Sequence, residues 1–111
     1  MLARADYYDQ LALRTLQRSP RHVLLLHVRA INAAWLGDIL LAFQQQGWQW
    51  IDSEYAYRDP LYQIQLYSVP AGESILWRIA QVYGVASLRY PAEDSVYEIA
   101  ELAKFGLMVQ P

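Results

Sequence analysis

The run Val23-Leu24-Leu25-Leu26-His27-Val28 constrains this chain more than any other feature. An unbroken apolar run of this length reads as a β-strand. Apolar on both faces, it reads as a central parallel strand covered by helices on either side. Parallel α/β folds gather their chemistry at the C-terminal ends of the strands, and His27 stands at that end.

The flanking pattern extends this reading. Residues 4–18 predict a helix, with Tyr8, Leu11, Ala12, Thr15 and Leu16 on one face. Ser19-Pro20 ends it, because the residue before proline is pushed out of the helical region. The strand covers residues 22–28. Asn32 suits the N-cap of a helix over residues 33–46, with a stripe of Leu36, Ile39, Leu40 and Phe43. Gly47 suits the left-handed position that follows a helix. A second strand over residues 48–52 would complete a right-handed βαβ unit.

Beyond it, Ser53-Glu54-Tyr55-Ala56 suits one helical turn, and Asp59-Pro60 and Pro70-Ala71-Gly72 are turn signals. Residues 62–68 alternate, as a short strand or an extended connection. Ser74 caps a helix reaching about residue 83, with Leu76, Ile79, Ala80 and Tyr83 on one face and Gly84 as its stop. Ser95 and Glu98 have capping-box spacing for a last helix to about residue 105, with Ile99, Leu102 and Ala103 inward. The expected architecture is a single α/β domain over residues 1–111. It has a small parallel sheet with flanking helices, a partial (β/α)-barrel-like fragment whose C-terminal helices occupy residues 74–105.

Composition narrows the function classes. The 111 residues suffice for one modest core. A net charge of -2 gives no electrostatic case for nucleic acid or an anionic membrane surface. Arg14, Arg18, Arg21 and Arg29 read as solvated helix ends and strand flanks. There are no cysteines, hence neither disulfides nor thiolate metal sites. The chain shows no signal-peptide pattern and no apolar stretch near the ~20 residues of a membrane span, so a soluble, cytoplasmic protein is the expectation.

His27 is the first candidate for chemistry. A histidine at a strand end can act as general acid or base, or simply hold a loop by hydrogen bonding. Asp52 and Glu54 follow the second strand and would lie at the same end of the sheet. One of them would orient the imidazole, or Asp52 would cap the turn at residues 53–56, the commoner use of an Asp there. His22 lies five residues before His27, roughly 17 Å along a strand, so the two histidines cannot share one ion. No metal site within the chain is expected. Trp35, Trp48, Trp50 and Trp77 offer faces for sugar stacking or, more simply, core packing.

Several segments together resemble the C-terminal part of polysaccharide deacetylases of the NodB-homology type. They are His22-Val-Leu-Leu-Leu-His27, Asn32-Ala-Ala-Trp-Leu36, Leu40-Leu41, Gln46-Gly47-Trp48 and Asp59-Pro60-Leu61-Tyr62, with Gly72 to Arg78 resembling the tail of one branch. The resemblance spans about residues 5–85. It implies a metal-dependent carbohydrate esterase on a deformed (β/α) barrel. That family ends on a Leu-x-His motif, matched here by Leu25 and His27. By resemblance, Leu25 lines the pocket for the acetyl methyl, and His27 is the general acid that protonates the leaving amine or alcohol. The family's paired aspartates, its two metal-binding histidines and its Arg-containing motif have no counterpart among these residues. The resemblance therefore implies a divalent metal such as zinc in a full-length member, no cofactor in this chain, and no deacetylase activity by the chain alone.

Three readings follow. The chain is the C-terminal portion of a sugar deacetylase domain, acting on carbohydrate with a missing N-terminal half. Or it is an assembly module whose exposed edges are covered by a homo-oligomer or a partner chain. Or it is a small hydrolase using His27 with Asp52 or Glu54.

Overall fold

The computed structural model describes residues 1–69, 73–88 and 95–107, the side chains of residues 95–98 and 101 excepted. In chain order the elements are α1 (Leu2–Leu16), α2 (Ala30–Gln45), α3 (Ser53–Ala56), a 3₁₀ turn (Pro60–Gln63), α4 (Ile75–Val82) and α5 (Ser95–Lys104). They fall into two compact units, residues 1–64 and 65–111.

The expected α/β fold is corrected by this order. Among the described residues there is no strand, no bridge and no sheet. Residues 19–29 run without helix, turn or bend, and residues 48–52 do likewise; both are extended chain without a ladder. A strand exists only where a second backbone takes its N–H and C=O groups. Apolar patterning registers a demand for burial, and it does not supply that second backbone. Residues 62–68 likewise hold part of the 3₁₀ turn and then irregular chain.

In the first unit, α1 buries Leu11 and Ala12 completely, on the face that the spacing predicts. Its last turn closes at Gln17, which adopts a left-handed φ of 57° ahead of Ser19-Pro20. α2 buries Phe43, while α3 and the 3₁₀ turn contribute Ala56 and Leu61. Phe43 meets Trp48 and Trp50 edge to face, at centroid distances of 5.8 and 5.6 Å. Burial of a side chain such as Leu11 or Phe43 stabilises the unit by roughly 1.5–3 kcal/mol.

α2 starts three residues earlier than Asn32 predicts. Arg29 is the N-cap residue without a side-chain cap, and Asn32 lies inside the first turn. There its Nδ2 donates to the His27 carbonyl at 2.7 Å. The C-terminal end follows expectation. Gly47 has φ 89°, its N–H bonds the Gln44 carbonyl at 2.9 Å, and Trp48 N–H bonds the Phe43 carbonyl at 3.1 Å. These are the two bonds of a Schellman motif, which a residue with a Cβ would enter only with strain.

In the second unit, the Ser74 hydroxyl accepts from Trp77 N–H at 3.0 Å and caps α4. Leu76, Trp77, Ile79 and Ala80 are buried. Tyr83 and Ile99, expected inward, are exposed. Tyr83 lies just past the last turn of α4, where the chain already turns into Gly84. The Pro70-Ala71-Gly72 turn and the capping-box side chains of Ser95 and Glu98 lie outside the described residues. No described helix is long and apolar enough to cross a membrane.

Candidate functional site

The local structure around residues 18–62 is organised by one carboxylate. Asp59 is 4% exposed and accepts four hydrogen bonds. Arg18 Nη1 and Nη2 donate at 2.9 and 2.6 Å, Arg21 N–H at 3.0 Å and Leu61 N–H at 2.9 Å. The Arg18 guanidinium holds the Asp59 carboxyl far below the usual carboxylate range, against the opposing effect of burial, and the two backbone donors add to it. The same pairing raises Arg18 above its ordinary value.

Further contacts hold the chain just before the apolar run. Tyr62 Oη donates to the Arg21 carbonyl at 2.9 Å, and burial pushes the Tyr62 phenol up. The Arg21 guanidinium donates to the Tyr55 carbonyl and hydroxyl and lies 3.9 Å from that ring's centroid. His22 Nε2 lies 3.1 Å from Asp9 Oδ1, which also accepts from the Ser19 hydroxyl, and the imidazole meets Trp48 edge to face at 5.5 Å. Arg18 and Arg21 thus carry specific hydrogen bonds, Arg18 while its side chain stays 41% exposed. Sequence reading took Asp59-Pro60 as a turn signal. An Asp whose side chain also caps the following turn looks the same in sequence whether or not distant arginines reach it.

Past His22 the chain passes through residues 23–28 into α2. Leu25 is 83% exposed and Val28 fully so. His27 is exposed as well. On an extended backbone residues two apart project to one side, so Leu25 and His27 share a face. Asn32 fixes the His27 carbonyl, while among the described residues nothing hydrogen-bonds the imidazole.

Asp52 performs the cap. Its Oδ1 accepts from Glu54 N–H at 2.8 Å at the start of α3. No described hydrogen bond or ion pair joins Asp52 or Glu54 to His27. A triad-like relay between them is therefore absent from the described contacts. Also among the described residues, no three His, Asp or Glu side chains group closely enough to hold a metal ion. Among the described residues the divalent metal implied by the deacetylase resemblance thus finds no ligand set. Of the four tryptophans, Trp77 is buried and Trp48 and Trp50 pack on Phe43. Trp35 stands 59% exposed over a shallow groove with Leu2, Asp38 and Ile39.

No family model, no curated protein and no solved structure matches this chain.

Proposed function

We propose that this chain is the C-terminal portion of a sugar deacetylase, contributing a proton donor and an acyl contact while the base and the metal come from another polypeptide segment. The observation that supports the reading is the pairing of Leu25 and His27 on one exposed side of an extended segment that is held at both ends. An apolar side chain beside a free imidazole suits an acetyl group and its leaving nitrogen or oxygen. In that role the imidazolium gives its proton to the leaving group as the acyl bond breaks. Without a base to activate water, an acid alone supplies little of the rate, so the isolated chain releases no acetate.

The test pairs an assay with a genomic reading. The purified chain, given zinc and an acetylated chito-oligosaccharide, is expected to release no acetate above the rate without protein. Coding sequence beside or in frame with this chain is expected to carry paired aspartates and two histidines at helical or loop spacing. Robust zinc-dependent release by the chain alone sinks the incompleteness argument. Neighbouring sequence lacking any such motifs sinks the deacetylase assignment itself. A second reading, an assembly module without catalysis, is favoured by the exposed apolar surface of residues 23–36.

A further inference from the structure

Residues 23–26 already have the form that an endopeptidase requires of its substrate. Such an enzyme takes a peptide as an extended strand, bonding its backbone N–H and C=O groups and seating a side chain in a pocket. A bond inside a helix or turn must wait for local opening, and the open population then sets the rate of cutting. Residues 23–26 need no opening. Their backbone runs without helix, turn or bend, and among the described residues none of its N–H or C=O groups takes part in a hydrogen bond.

One side chain is set apart as the pocket residue. Among the described aliphatic side chains, only Leu25 and Val28 are more than three-quarters exposed. Val28 lies between engaged carbonyls, since His27 accepts from Asn32, and Arg29 from Ala33 N–H at 3.0 Å. Leu25 has free backbone on both sides. Elsewhere exposure and free backbone come apart. Ile31, Leu41 and Val82 project into water from helices, and Leu107 has its N–H bonded to the Leu102 carbonyl. Ile51, Ile64 and Val69 stand on irregular chain and are less than half exposed.

The segment is also held at both ends. Asp59 and Tyr62 grip Arg21 before it, and Asn32 grips the His27 carbonyl after it. A protease therefore orders less chain here than it would in a free loop. We propose that Leu25 marks a cleavage site in the folded chain, for an endopeptidase whose pocket takes a large aliphatic side chain. The oxygen of water adds to the scissile carbonyl carbon, the C–N bond breaks, and the nitrogen leaves with a proton, giving a new carboxylate and a new amine. A pocket on the carbonyl side of the cut places it at Leu25–Leu26 and parts Leu25 from His27. A pocket on the amine side places it at Leu24–Leu25. The inference stands independently of the deacetylase reading.

Thermolysin, which cuts on the amino side of large aliphatic residues, is the probe. Limited digestion of the full chain, read by mass spectrometry, is expected to cut Leu24–Leu25 before any other bond among the described residues. Leu41 is the internal comparison, 53% exposed but on the helical backbone of α2. Its cut is expected to be at least about a hundredfold slower. Urea below the unfolding transition is expected to leave the rate at Leu25 unchanged and to speed the cut at Leu41, because only the second waits for opening. Leu25→Asp is expected to keep the helical circular-dichroism signal and to slow cleavage of residues 23–26 at least about tenfold, since an apolar pocket rejects a carboxylate. An earlier cut at another described bond overturns the proposal. So does a rate at Leu25 that climbs with urea in step with Leu41, or a Leu25→Asp chain cut within residues 23–26 as fast as wild type.

Discussion

Two stretches of the first unit that meet at His22 are built on opposite terms. Residues 18–22, with 52–62, are polar and settled: one buried carboxylate receives four donors, a tyrosine hydroxyl takes a carbonyl, and an arginine lies over a ring. Residues 23–28 are apolar but for His27 and mostly exposed, and among the described residues no backbone group of residues 23–26 takes part in a hydrogen bond. A composition scale would place the second inside and the first outside. The structure buries Asp59 and leaves Leu25 exposed, because burial depends on whether partners are within reach. Asp59 finds its arginine from 41 residues away. Leu25 stays 83% exposed among the described residues.

The largest way to break that contrast is Asp59→Ala. It leaves two backbone donors and the Arg18 guanidinium without their acceptor, and is expected to lower unfolding stability by about 3 kcal/mol, measured by urea denaturation. The wild-type pH profile carries the same signature. A carboxyl held low in the folded state stabilises above its unfolded value of about 3.9 and loses that contribution as pH falls toward the folded value. Stability is thus expected to drop below about pH 4, and Asp59→Ala to flatten the drop. An unchanged acid limb in the variant would show that other carboxylates govern it.

Asp52→Ala sharpens the comparison at smaller scale. Loss of the α3 cap is expected to cost about 1 kcal/mol. The variant separates the two uses weighed for this residue. A capping role appears as a lower thermal midpoint, with no dependence on whether His27 is present. Non-additivity with His27→Ala would instead reveal an Asp52–His27 interaction.

The smallest effect belongs to the exposed stretch. His27→Ala removes an imidazole with no described partner, and its unfolding free energy from urea denaturation is expected to stay within about 0.5 kcal/mol of wild type. A cost above 1 kcal/mol would mean that the histidine holds structure and is not free for chemistry. The contrast with Asp59 is the useful one, since both side chains stood at apparent signals in the sequence and only one is structurally committed.

What the sequence determined by itself was local. Helical periodicity identified α1 and the buried pair Leu11 and Ala12, since a helix face is read within four residues. Gly47, Gly84, Ser74 and Asp52 announced helix ends, because caps and left-handed turns depend on neighbours one to five residues away. The start of α2 was misplaced, because Asn32 fits either an N-cap or, as here, a back-reach to the His27 carbonyl. Strand against extended chain was beyond local reading, for a ladder requires a second backbone and none is coded within a six-residue run. The Asp59–Arg18 grip was equally hidden. It joins residues far apart in sequence, and only the packed helices bring a carboxylate and a guanidinium close enough, and dry enough, for four donors to converge on one acceptor.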